Sequence, residues 1–271
     1  MIRIATAHHH SADWIDLQLA YLRRFMQEPY IVYASLENID PPHHAKFDVV
    51  VPSLGSHAGK LNRLGQAMLG DAAPDDVLVF LDGDAFPIGD VASRIRGGLG
   101  RAPLVAVQRL ENHGDCQPHP CFCAVSAATW AELPGDWSPG HPFREGRTDV
   151  GGNLLWLLED RGMAWDPLRR TNRENPHPLL FGVYDDVVYH HGAGFRGMKP
   201  PGEGREKWES KQPVTAMSKH AMDRYEANLP KERFDAIIAR AMEDAVLSDQ
   251  VYADILADPD FFKRFVSDPG S

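Results

Sequence analysis

Five apolar residues in a row, Val77-Leu78-Val79-Phe80-Leu81, run directly into Asp82-Gly83-Asp84. A continuous apolar run of this length is the pattern of a strand covered on both faces, in the middle of a mostly parallel sheet. Its abrupt end in two carboxylates is poorly explained by packing, because a charged Asp is costly to bury unless it is paired or bound to a metal. Two anions one residue apart at a strand end are natural ligands for a hard divalent cation. The competing reading is a solvated turn in which an Asp caps the next element. The strand in front, and a His-Gly pair much later in the chain, favour the metal.

The segments around that strand alternate. Residues 2–7 read as a strand, and Asp13 caps a helix to about Met26 with Trp14, Leu17, Leu19, Tyr21 and Leu22 as its apolar positions. Tyr30 to Ala34 and Phe47 to Val51 read as strands, and Leu61 to Leu69 as a helix with one apolar stripe. Strand, helix, strand, strand, helix, strand is an α/β order, and in such sheets ligands sit beyond the carboxyl ends of the strands. The second half is less regular. Leu104 to Gln108, Cys121 to Ser126 and Val183 to His190 read as strands, Asp149 to Arg161 as a helix, and the Gly- and Pro-rich stretch 197–213 as a loop. Two helices are expected near the end, over Arg233 to Leu247 and Val251 to Ala257.

With 271 residues, 43% of them hydrophobic and 24% charged, the chain fits one soluble domain with appendages, or at most two small domains. A net charge of −10 argues against nucleic acid as the main partner, since phosphate backbones need a basic footprint. It leaves small anionic ligands open, because one bound cation inverts the local field. Cys116, Cys121 and Cys123 are an odd, clustered set and a poor disulfide framework, so they are read as reduced and the location as cytoplasmic. Cys121 and Cys123 with His119 or His113 match no strong zinc pattern. The start Ile2-Arg3-Ile4-Ala5 is strand-like and unlike a signal peptide, and no apolar run is long enough to span a membrane.

The order of a nucleotide-binding α/β half, Asp82-Gly83-Asp84 after an apolar strand, and a late His followed by Gly resembles the GT-A type of nucleotide-sugar-dependent glycosyltransferase over roughly residues 2–200. The resemblance implies a GT-A like α/β fold with a mostly parallel central sheet flanked by helices. Its catalytic domain would cover 1–215, with a nucleotide-binding half (1–100) and an acceptor half (101–215), ahead of a C-terminal helical region (216–271). It also implies Mn²⁺ or Mg²⁺ as cofactor. Asp82 then touches the ribose, the sugar or a metal-bound water, Asp84 ligates the metal, and Gly83 between them lies among the donor contacts. A late His completes the metal site in many members. His190 and His191 face opposite ways on a strand, so one of them is the ligand. His191 is favoured, because His191-Gly192-Ala193-Gly194 matches the His-x-x-Gly step of a retaining galactosyltransferase branch. That branch follows with Lys-Pro. Here Lys199-Pro200 comes two residues late, so the diphosphate ligand is Lys199 or Arg196.

By the same resemblance Lys60 and Asn62 lie near the nucleotide or donor sugar, and Thr6, Ala7 and His8 stand where base and ribose contacts begin. Asp149, ahead of Val150-Gly151-Gly152-Asn153, is the candidate general base or acceptor ligand; its structural alternative is a helix cap. Trp130, Trp137, Trp156, Trp165 and Phe143 gather in the acceptor half, where aromatic faces stack on sugars or simply fill the core. The expected partners are a nucleotide-sugar donor, with UDP as the expected nucleotide, and a glycan, lipid-linked or small-molecule acceptor. Two other functions fit less well. A sugar nucleotidyltransferase typically has a Gly-rich loop after its first strand, where this chain has Thr6-Ala7-His8-His9-His10-Ser11. A non-catalytic nucleotide-sugar-binding scaffold has no need to keep the acids and the His. The C-terminal stripes (Phe234, Ile237, Ile238, Ala241 and Met242; Val251, Ile255, Phe261, Phe262 and Phe265) can pack on the core, pair two copies as a homodimer or touch a membrane surface. Their acidic neighbours disfavour an anionic membrane.

Overall fold

The computed structural model describes residues 1–112, 115–140, 142–143, 146–147, 149–192 and 231–266. Alternation along the first strands decides the layering. In β1 (Ile2–His9), β2 (Tyr30–Glu37) and β4 (Val77–Asp82), successive side chains turn to opposite faces of one sheet. Ile2, Ile4, Val32, Ala34, Val77, Val79 and Leu81 meet Ile15, Leu19 and Leu22 of α1 (Asp13–Phe25) and Val91, Ala92 and Ile95 of α3 (Val91–Leu99). Ala5, Tyr33, Leu78 and Phe80 meet Leu61, Leu64 and Met68 of α2 (His57–Asp71), together with Trp130 of α4 (Ala127–Glu132) and Leu154 and Leu158 of α5 (Gly152–Asp160). Both faces are therefore covered. Each fully buried Leu, Ile or Phe contributes about 1.5–3 kcal/mol to holding the layers together.

The central sheet has seven strands in the order β10-β6-β7-β4-β1-β2-β3, with β3 at Val49–Val51, β6 at Leu104–Val107, β7 at His119–Ser126 and β10 at Asp166–Leu168. β7 alone runs against the other six. The expected α/β fold, with a mostly parallel sheet between helices, is thus observed. A smaller sheet, β11-β12-β5, joins β5 (Ala85–Pro87) to β11 (Gly182–Tyr184) and β12 (Val188–His190), and β8 (Pro142–Phe143) pairs with β9 (Gly146–Arg147).

Several boundaries differ from expectation. The single strand expected over Val183 to His190 is a hairpin, because Asp185 and Asp186 both take left-handed φ values of 48° and 57° and turn the chain. β2 continues to Glu37, and α2 begins four residues early at His57, where the Ser56 side chain accepts the Gly59 N–H. Asp13 is the first helical residue and not the cap; its N–H is received by Ser11 Oγ at 3.2 Å. β5, α3, α4 and β10 had no sequence-based expectation.

The chain divides into two units, one of Met1–Gly192 with Lys263–Ser271 and one of Ala193–Phe262. In the second, the two expected helices are a single α6 (Lys231–Ala257). Its Ala245, Ser248, Val251 and Ile255 are buried at helical spacing, and Arg240 pairs with Asp244 at 3.0 Å. The side chains of Phe234, Ile237, Ile238, Ala241 and Met242 lie outside the described residues. Among the described residues no helix is long and apolar enough to cross a membrane.

Candidate metal centre

β4 ends at Asp82, the chain turns through Gly83 and Asp84, and β5 leaves at Ala85. The turn needs glycine for space: a Cβ on Gly83 would stand 2.6 Å from the Ala7 carbonyl oxygen and 2.9 Å from His8 Nδ1. Gln18, on the buried face of α1, fixes the turn from beneath. Its Nε2 donates to the carbonyls of Asp82 at 2.8 Å and Ala85 at 2.7 Å, while its Oε1 accepts from Thr6 Oγ1 at 3.0 Å. His8 Nε2 lies 3.3 Å from the same Oε1, and burial lowers the pKa of this ring to about 4, so it is neutral there.

The hairpin of β11 and β12 brings the late histidines to this turn. β12 pairs antiparallel with β5, which sets His190 opposite Ala85. His190 Nε2 stands 3.5 Å from Asp84 Oδ1 and 3.8 Å from Asp82 Oδ2. Asp84 is 4% exposed; its Oδ2 accepts the Gly192 N–H at 3.0 Å and its carbonyl accepts the His191 N–H at 3.1 Å. The side chain at the carboxylates is therefore His190, where the sequence favoured His191. The two face opposite ways as expected, and His191 turns into the core. Its ring lies 4.5 Å from Trp14 and 4.9 Å from Phe181, with Nδ1 at 3.0 Å from the Tyr189 hydroxyl.

Asp82, Asp84 and His190 each offer a ligand atom, and these atoms lie within 4.8 Å of one another. Two carboxylate oxygens and an imidazole nitrogen, crowded together with an acid that is almost wholly buried, are a donor set that a divalent cation fits. The outer contacts a metal site requires are also present: Asp84 is oriented by Gly192, and Asp82 Oδ1 is bonded by His57 Nε2 at 3.0 Å. Burial opposes charge on His57, but Asp82 outweighs it and raises the ring's pKa.

The remaining sequence candidates separate. Thr6 and His8 are buried in the network around Gln18 and not open to the rim; the Ala7 carbonyl abuts Gly83. Lys60, 5% exposed, is ion-paired with Glu37, which also bonds His9. Asn62 joins α2 to the loop before α5: its Nδ2 donates to Asp136 Oδ1 at 2.7 Å and its Oδ1 accepts the Trp137 N–H at 2.8 Å. Asp149 is exposed, its Oδ1 accepts the Val150 N–H at 2.8 Å, and α5 starts three residues later with no side-chain cap. Trp130 and Trp137 are core residues, and Trp156 is 48% exposed. Arg196 and Lys199 lie outside the described residues.

Four residues at this rim escaped the sequence reading. Gln18 carried a signal, being a polar residue at core-facing spacing between Ile15 and Leu22. Glu37 and His57 had none, because each depends on where an element ends. His119, half-buried, with its ring 5.7 Å from that of His190, was weighed only as a zinc ligand.

No family model and no curated protein matches the chain. Among solved structures it is similar to the apo form of the glycosyltransferase GlyE of Streptococcus pneumoniae TIGR4, at 16% identity over 61% of this chain and 44% of that one, with a TM-score of 0.42. A second is the mannosyltransferase PcManGT of Pyrobaculum calidifontis in complex with GDP-Man and Mn²⁺, at 13% identity over 97% and 87% of the two chains and a TM-score of 0.44. A third is a 4-diphosphocytidyl-2C-methyl-D-erythritol synthase of Anaerococcus prevotii DSM 20548, at 10% identity over 62% and 88% and a TM-score of 0.41. The chain thus spans less than half the length of GlyE. Its mostly parallel sheet, with the Asp-x-Asp at the end of β4 and a histidine beside it, has the arrangement that the resemblance to GT-A glycosyltransferases implies.

Proposed function

We propose that the chain transfers a sugar from a nucleotide-sugar donor, with UDP as the expected nucleotide, to a sugar-containing or small-molecule acceptor, and that Asp82, Asp84 and His190 hold the divalent cation it uses. The observation that carries this is the triad itself: two acids and an imidazole converge at the carboxyl end of a buried central strand. When bound, the cation neutralises charge that builds on the leaving diphosphate. The imidazole nitrogen shifts the preference from Mg²⁺ toward Mn²⁺.

In this reading His190 and Asp84 fix the position of the diphosphate end of the donor. Asp82, oriented by His57, faces the ribose, the sugar or a metal-bound water. Lys60 and Glu37, next to each other at the rim, border the nucleotide, and Arg196 or Lys199 supplies the basic contact to the diphosphate. Asp149, exposed ahead of α5, is the general base for an acceptor hydroxyl if the reaction inverts the anomeric centre. The His-x-x-Gly step belongs to a retaining alternative. The three cysteines are free, which agrees with a reducing compartment, and a cytoplasmic location is part of the proposal.

A thermal-shift panel of UDP, GDP, CDP and TDP, each with and without Mn²⁺, tests the function. Binding to the folded state alone raises the melting temperature. The proposal expects a shift for one nucleotide that requires Mn²⁺. No shift for any nucleotide would reject it and make Asp82-Gly83-Asp84 a structural turn.

A further inference from the structure

Gln117 lies outside the triad. It is 1% exposed, and among the described residues neither its Nε2 nor its Oε1 makes a well-formed hydrogen bond; the amide interacts only loosely with the Asp115 carboxylate. Native proteins seldom leave both ends of a buried amide unmade unless something else completes the site. Its place in the fold says what that can be. Gln117 stands two residues ahead of His119, just before β7. β7 runs antiparallel to β4, so its beginning is at the same end of the sheet as Asp82 and Asp84. The His119 ring in turn approaches that of His190.

The backbone behind Gln117 is fixed. Gly151, at φ +97°, passes so close that a Cβ there would lie 2.1 Å from the Pro118 carbonyl oxygen and 3.5 Å from Gln117 Cγ. Asp115, the nearby acid, is bonded by Asn112 Nδ2 at 2.7 Å and loosely by the Gln117 amide, while burial raises its pKa; the Gln117 Oε1, an acceptor, gains nothing from that carboxylate. A carboxamide presents an acceptor and a two-hydrogen donor on one planar end. That end matches a hydroxyl, which both gives and takes a hydrogen bond, or two neighbouring hydroxyls of a pyranose.

We propose that Gln117 is a specificity-determining residue that reads a hydroxyl of the sugar bound beside Asp82, Asp84 and His190. This rests on the nucleotide-sugar reading of the rim. The donor's sugar and the acceptor's sugar share the chemistry, and the test separates them.

The experiment compares wild type with Gln117→Leu and Gln117→Met, which keep the volume and remove the amide. Binding is measured by calorimetry with Mn²⁺ present, using UDP, GDP, UDP-glucose, UDP-galactose and GDP-mannose, and then glucose, galactose and mannose added to the diphosphate complex. The bare diphosphate should bind wild type and variants alike, and the melting temperatures should stay level or rise, since an unsatisfied amide has been removed. If the hydroxyl is the donor's, the variants lose about tenfold of the affinity that the sugar moiety adds to the diphosphate. If it is the acceptor's, they lose the response to the free monosaccharide instead. Variants that keep both sugar responses overturn the proposal and leave the amide to a buried water. A wild type whose diphosphate affinity gains nothing from any of these sugars also overturns it, with the metal reading intact. A wild type that binds no diphosphate at all overturns the reading beneath it as well.

Discussion

At the amino end of β1 and β4, Arg3 donates from Nε to Asp76 at 2.9 Å and from Nη1 to the Tyr33 hydroxyl at 2.7 Å, and the Tyr33 hydroxyl in turn donates to Asp71 Oδ2 at 2.9 Å. Asp76 also takes the Met1 ammonium at 2.8 Å and the Ala73 N–H at 3.1 Å. At the carboxyl end of the same two strands, Asp82 and Asp84 meet histidines and backbone N–H groups among the described residues, and Lys60, a buried cation of that rim, is taken by Glu37. Both ends bury charge. The first cluster balances its charges internally and holds the strands together. Among the described residues the second crowds two carboxylates against imidazoles, a grouping that a bound divalent cation would complete. The kind of group that meets the acids, more than burial, separates the two clusters.

The largest effect expected from breaking that contrast is at the balanced end. Arg3→Met removes one of the two cations on Asp76, leaving the Met1 ammonium, and should cost about 3 kcal/mol in urea unfolding, while Mn²⁺ affinity stays as it was. The reverse pattern belongs to Asp84→Asn. The amide still accepts the Gly192 N–H and relieves crowding with Asp82, so the melting temperature without metal should hold or rise. Mn²⁺-dependent nucleotide affinity should fall by more than the roughly 100-fold that loss of an outer contact can cost. His57→Ala removes such an outer contact, and about tenfold weaker Mn²⁺ binding is expected, with the nucleotide preference unchanged. Normal Mn²⁺ binding in His57→Ala would mean that Asp82 needs no orienting partner.

The smallest effect is on acid stability, and it falls in two windows. His8 titrates near 4 in the folded chain against an ordinary 6.5, so the unfolded chain takes up a proton first. Its contribution is complete above about 6.5 and is lost as pH falls toward 4. His119, also lowered by burial, acts in the same direction. Asp76 is lowered to about 2 by the Met1 ammonium and Arg3, so its contribution is present above about 4 and is lost as pH falls from there toward 2. Melting temperature against pH should therefore descend in two stages, and Arg3→Met should weaken the second alone.

Sequence periodicity was a good guide wherever a strand or helix buries a regular stripe. The run Val77–Leu81 is the centre of the sheet, and Leu61, Leu64 and Met68 do lie against it. It was a poor guide where register or chain reversal decides. Val183 to His190 is apolar enough for one strand, yet the Asp185-Asp186 pair, a turn signal, splits it. Alternation correctly sets His190 and His191 on opposite faces, but only the pairing of β12 with β5 shows which one meets the acids. Asn62 and Lys60 fall on α2 as expected, but their partners, Asp136 and Glu37, come from distant segments whose contacts no local pattern encodes.

The most direct test of the proposed cation site is Mn²⁺ binding followed by electron paramagnetic resonance in the presence of UDP, for wild type, His190→Ala and His191→Gln. The account predicts that His190→Ala weakens binding at least tenfold, while His191→Gln, whose side chain lies among Trp14, Phe181 and Tyr189, binds Mn²⁺ like wild type at some cost in melting temperature. Equal binding by wild type and His190→Ala, or loss confined to His191→Gln, would contradict it.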